Sequence, residues 1–140
     1  MRKIYFTAES ADKCIPEITR KLKKLRKLNK ATKFLNSLEV EHKDDLDDFY
    51  ASVSINTQFH RLSLQFYSEL KRMIKKGYLV KDLEKGLVDF YAMHKDKEII
   101  LCWKFGETNI RYWHTLYNGY RERKPISFLG NLSENPDNFL

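Results

Sequence analysis

At Gly77 the hydrophobic period of this chain changes from helical to strand-like, and that change constrains the fold more than any other feature. Before it, apolar residues recur every three to four positions; after it, every second one. From Glu17 the series Ile18, Leu22, Leu25, Leu28, Leu35 and Leu38 predicts an amphipathic helix, roughly 33 Å long over about 22 residues. Thr7 suits the N-cap of an earlier helical turn, Ala8 to Lys13. A break is expected at Pro16, because the residue before a proline, Ile15, is biased away from helix. A second helix reads Leu46, Phe49, Val53, then Phe59, Leu62, Phe66, Leu70 and Met73. It stops at Lys75-Lys76-Gly77, basic residues followed by glycine. Its apolar phase slips across Ser54-Ile55-Asn56-Thr57, a poor helix former, so a stutter or a fresh N-cap is expected there. The two stripes, joined by the charged loop Glu39 to Asp48, predict an αα-hairpin.

Beyond Gly77, Leu87 to His94 and Glu98 to Phe105 flank a Lys95-Asp96-Lys97 turn, and Gly106-Glu107-Thr108-Asn109 leads into a third strand, Ile110 to Thr115. The expected fold class is therefore α+β: a long antiparallel α-hairpin followed by a small three-stranded antiparallel β-meander. One domain is expected, with a helical half at about 1–77, a strand-rich half at about 78–126 and a C-terminal arm at about 127–140. Pairing about these turns groups Leu87, Asp89, Tyr91, Met93, Leu101, Trp103, Phe105, Ile110, Tyr112 and His114 on one face. Val88, Phe90, Ala92, Ile100, Cys102, Lys104, Arg111 and Trp113 fall on the other. Both faces are apolar. The helices can cover one, and a second copy of the chain is expected over the other, with an arm carrying Phe128, Leu129 and Phe139 as the alternative.

The net charge of +7 is unevenly spread. Residues 1–38 hold eleven Lys/Arg against three Asp/Glu, residues 39–48 one Lys against six acids, and residues 78–140 nine of each. A polyanion would meet the helical half. Cys14 and Cys102 lie far apart in different elements with no secretory leader, so both are expected as free thiols in a reducing cytoplasm. No apolar run reaches the roughly 18 residues of a membrane span.

Tyr5-Phe6-Thr7 with Glu9 and Ala11, then Val80-Lys81-Asp82-Leu83, Gly86-Leu87-Val88-Asp89-Phe90, Leu101-Cys102-Trp103, Gly106-Glu107 and Trp113-His114 carry a resemblance. The chain resembles the prokaryotic domain-of-unknown-function family 2203, some members of which bear the label "division initiation protein". It departs from that pattern at Tyr91, where relatives usually place proline. The resemblance implies a bacterial or archaeal cytoplasmic protein and supplies no activity.

Three functions compete. Asp89, Glu107 and His114 offer two carboxylates and an imidazole, which Trp103 and Tyr112 could wall into a small pocket for a metal or ligand. The same residues serve equally as a strand-end cap, a turn closure and ordinary packing. No HxH, HExxH or CxxC spacing and no glycine-rich phosphate loop is present, and Cys102 beside Trp103 reads as a small core residue. Lys23, Lys24, Arg26, Lys27 and Lys30 form a basic helix suited to sequence-independent nucleic-acid binding, or to a solvated bundle face. Arg121, Arg123 and Lys124 read as a solvated loop or a second basic patch. The leading expectation is a non-enzymatic, self-associating interaction module, a homodimer presenting a basic rod to an acidic protein or to nucleic acid.

Overall fold

A computed structural model describes residues 1–39 and 45–129. The fold is the expected α+β arrangement, a helical hairpin followed by an antiparallel sheet. The first helix, α1 (Ala8–Ser37), begins where the Thr7 hydroxyl accepts from the Ser10 N–H at 3.0 Å and the Ser10 hydroxyl accepts from the Thr7 N–H at 2.9 Å. These reciprocal bonds satisfy two donors that a helix start leaves without partners. The expected break at Pro16 does not occur. Pro16 is solvent-exposed, so the Asp12 carbonyl that loses its helical donor lies on the wet side, while Ala11, Ile15 and Ile18 are buried around it and hold the backbone helical.

The second helix, α2 (Leu46–Lys75), starts at the N-cap Asp45, whose carboxylate accepts from the Asp48 N–H at 2.8 Å. It runs unbroken through Ser54 to Thr57, where a stutter or new cap was expected. The Thr57 hydroxyl bonds the Val53 carbonyl one turn back, so it does not compete with the helix. The apparent phase slip reflects two separate faces. Phe59, Leu62, Phe66, Leu70 and Met73 turn inward, whereas Leu46, Phe49 and Val53 are exposed. Residues 40–44 of the acidic loop lie outside the described residues.

Gly77 ends the helical half with φ +90°, and a Cβ there would sit 2.6 Å from the Phe6 ring, so only glycine fits this exit. Five strands follow: β1 (Leu79–Asp82), β2 (Leu87–His94), β3 (Lys97–Lys104), β4 (Tyr112–His114) and β5 (Lys124–Pro125). Each pairs antiparallel with the next, so two short edge strands flank the expected meander.

The turn between β2 and β3 decides what each face carries. Lys95 and Asp96 both have positive φ, +47° and +63°, as a two-residue type I′ turn requires, and His94 pairs with Lys97. The turn was expected to hold three residues. One residue fewer shifts the register by one and turns every β3 side chain to the opposite face. Ile99, Leu101 and Trp103 therefore join Val88, Phe90 and Ala92 against the helices, while Ile100 and Cys102 face outward with Asp89 and Tyr91. The expected faces of β2 and of Tyr112 to His114 hold and those of β3 are exchanged; Ile110, expected beside Asp89 at the start of the third strand, precedes β4 and is buried in the inner core.

The inner layer merges with Phe6, Ala11, Ile18, Leu22, Leu25 and Met73 into one core, in which each fully buried large side chain contributes on the order of 1.5–3 kcal/mol. Polar clamps fix the layers. Glu69 of α2 is buried and accepts from Lys21, from Lys24 at 3.2 Å and from Arg72 at 3.0 Å. Arg26 donates to the Leu83 and Glu84 carbonyls, each at 3.1 Å, and lies over the Phe105 ring, tying α1 to the β1–β2 turn. After β5 a short 3-10 turn, Ile126–Leu129, buries Leu129 in the core and leaves Phe128 exposed. The rest of the expected arm, 130–140, lies outside the described residues. Among those described, both cysteines are free and no helix is long and apolar enough to cross a membrane.

Candidate functional site on the outer face of the sheet

The outer face collects ionisable groups from three adjacent strands. Asp89 on β2 stands opposite Cys102 on β3, and Cys102 opposite Tyr112 on β4; two positions along, Ile100 stands opposite His114. The carboxylate, the thiol and the imidazole consequently converge, with one potential ligand atom from each lying within 4.8 Å of the other two. All three residues are buried: Asp89 is 5 %, His114 4 % and Cys102 1 % exposed.

The imidazole is oriented by the backbone. His114 Nδ1 lies 2.7 Å from the Thr115 carbonyl oxygen, which can only accept, so Nδ1 carries the proton and Nε2 is turned toward Asp89 Oδ2 at 3.4 Å. Burial alone would lower the His114 pKa, but the Asp89 carboxylate and the Thr115 carbonyl outweigh it, and the net direction is upward. The Cys102 thiol is pushed up to about 12, first by burial and then by the neighbouring Asp89 charge, against a smaller opposing effect of Arg123. A thiol so shifted is no free nucleophile at neutral pH. It becomes a thiolate when a metal displaces its proton.

One carboxylate, one thiolate and one imidazole make a donor set suited to a zinc-like ion. The 3.4 Å between Nε2 and Oδ2 is close to the edge of a tetrahedron with metal–ligand bonds of about 2 Å. Above the trio lies a cavity of about 330 Å³, walled by Leu79, Leu87, Tyr91, Leu116 and Tyr120, with Lys81 at its rim. That is the lower end of the range for small-molecule sites, and it leaves the side opposite the sheet open for a further ligand.

Not every expected site residue is here. Trp103 is in the inner core, 1 % exposed, its Nε1 donating to the Glu107 carbonyl at 2.9 Å. The register at Lys95-Asp96 puts it on the face opposite Asp89. Glu107 does not join the trio either. Its carboxylate accepts from the Lys104 N–H at 2.6 Å and pairs with Arg123 at 3.0 Å, closing the turn after β3. Tyr112 shares the outer face, but Arg123 covers its ring at 4.1 Å and also stacks at 4.3 Å on Tyr120. Arg123 is thus neither a solvated loop residue nor part of a basic patch. It links Glu107 to the surroundings of Cys102. Sequence reasoning missed Cys102 and Arg123 in these positions; the length of the β2–β3 turn was the signal that would have brought Cys102 beside Asp89.

A family model for uncharacterised conserved proteins matches residues 4–126. The chain belongs to the family DUF2203. The match includes both helices and every residue of the outer-face site, so in this DUF2203 protein the site lies within the family domain. Neither curated proteins nor solved structures gave a match.

The basic candidates of the DUF2203 helix α1 divide in two. Lys24 and Arg26 are spent on Glu69 and on the β1–β2 turn. Lys23, Lys27 and Lys30, with Arg20, are exposed on one line of the helix without an acidic partner among the described residues.

Proposed function

We propose that this protein binds a divalent transition metal of zinc type through Asp89, Cys102 and the Nε2 of His114, with a remaining coordination position open to the cavity. The observation that carries this reading is the orientation of His114. The Thr115 carbonyl holds Nδ1–H at 2.7 Å, which directs the ring's other nitrogen at the carboxylate and the thiol. Outer partners of this kind fix the tautomer of metal-bound histidines. Asp89 and His114 already pair with each other, and a metal would take the place of the proton between them and draw in Cys102 as thiolate. Protein purified without chelator should carry about one metal equivalent by elemental analysis. Cobalt added to the metal-free protein should give a thiolate-to-cobalt absorption band that Cys102→Ala abolishes. No stoichiometric metal, together with cobalt spectra identical in the wild type and Cys102→Ala, would sink the reading.

A second reading is supported by the exposed line Arg20, Lys23, Lys27 and Lys30, which suits sequence-independent contact with phosphates. Anisotropy titrations of labelled DNA and RNA should then show affinity that falls steeply with salt and is lost when Lys23, Lys27 and Lys30 become Gln. Absence of binding at low salt rejects it.

A further inference from the structure

The outward face of α2 carries an apolar stripe that nothing among the described residues covers. Leu46 is 82 %, Tyr50 74 %, Leu64 69 % and Tyr67 65 % exposed, with Phe49, Val53 and Ile74 also open to solvent. The spacing is regular: Leu46, Val53, His60, Tyr67 and Ile74 recur every seven residues, and Phe49, Tyr50 and Leu64 fall between them. A seven-residue repeat sustained over a helix of about 45 Å is the pattern of a seam between two helices. It lies well round the helix from the inward row of Phe59, Leu62, Phe66 and Met73, so it is no extension of the core.

We propose that this stripe is a self-association surface, on which α2 of a second copy of the chain packs antiparallel about a two-fold axis near His60. Charge selects the partner and its direction. The start of α2 is acidic, with Asp45 and Asp47, and its end is basic, with Lys71 and Lys75 exposed and unpaired among the described residues. A parallel copy would set like charges side by side. An antiparallel copy sets each acidic end against a basic end. With His60 at the axis, Val53 meets Tyr67 of the second copy, Leu46 meets Ile74, and Asp45 comes beside Lys75. These two layers set apolar positions on apolar ones, while Phe49 comes opposite the aliphatic stem of Lys71 of the second copy. The area is adequate. Three aromatic side chains that can each bury about 150–250 Å², together with four aliphatic ones, are on the scale of the roughly 800 Å² per partner of a stable interface.

Sedimentation equilibrium of the full chain should give a dimer, and Val53→Lys or Tyr67→Lys should weaken it at least about thirtyfold while circular dichroism stays unchanged, because both positions are exposed. His60→Cys should form a disulfide-linked dimer on mild oxidation, and Val53→Cys should not, since only the residue at an antiparallel axis meets its own counterpart. A wild type that stays monomeric at every concentration overturns the proposal and leaves the stripe to a different partner. A dimer that survives both lysine substitutions places the interface elsewhere and overturns it too. Crosslinking through Val53→Cys in place of His60→Cys would refute the antiparallel arrangement.

Discussion

The two faces of the sheet are built from the same three strands, yet they solve different problems. The inner face stacks Val88, Phe90, Leu101 and Trp103 against two helices in an apolar core. The outer face, one residue out of phase, buries Asp89, Cys102 and His114 beneath a cavity that Leu79, Leu87, Tyr91 and Leu116 share with Lys81 and Asn118. Apolar burial supplies stability directly, whereas buried ionisable groups detract from it unless something pairs with them. Glu69 shows what pairing for structure looks like in this molecule, with three cations around one carboxylate. Among the described residues, Asp89 has one imidazole within ion-pair distance, and an open cavity beside it. The inner face is where this protein is held together, and the outer face is where it has room to bind.

Substitutions on the two faces should separate these roles. Trp103→Ala, which empties a fully buried site, should lower unfolding free energy by about 3–5 kcal/mol in denaturant titrations. A loss under about 1 kcal/mol would mean the inner face is not the main core. Next in size is the acid response. The Lys21 hydrogen bond, opposed by burial and aided by Lys24, holds the Glu69 carboxyl at about 2 from an ordinary 4.5. A carboxyl depressed on folding contributes stability that is fully present above its unfolded value and lost as pH falls through the folded one. The wild type should therefore lose thermal stability between about pH 4.5 and 2, and Glu69→Gln, less stable at pH 7, should show a shallower fall over that window. Parallel curves for the two proteins would contradict the ion-pair role. The smallest stability change, about 1 kcal/mol or less, is expected for Cys102→Ala when both proteins are compared metal-free, whereas added zinc should then stabilise the wild type and not the variant. If this variant unfolds as readily as Trp103→Ala, the outer face is core as well, and the contrast fails.

Much of this division can be read in the sequence. Thr7 as a cap, Gly77 as a helix stop and the change to a two-residue period each depend on local chemistry, which the residues themselves express. What could not be read depends on counting or on packing. Whether Lys95-Asp96 or Lys95-Asp96-Lys97 makes the turn is a matter of one residue, and the composition of the segment suits either. That residue decides whether Cys102 or Trp103 stands beside Asp89. Pro16 was misjudged because burial of Ile15 and Ile18 outweighs a local preference. The slip between Val53 and Phe59 was misjudged because a second apolar row, on the exposed side of α2, was merged with the first. Arg123 could not be placed at all from sequence, since its partner Glu107 lies across a turn and its rings come from two separate segments.

The tight turn at Lys95-Asp96 has a genetic consequence. Gain or loss of a single codon there would move Cys102 behind the sheet and bring Trp103 into the cavity, wrecking core and site together. Length variation among functional descendants of this chain should therefore spare this hairpin, or occur there in steps that preserve parity.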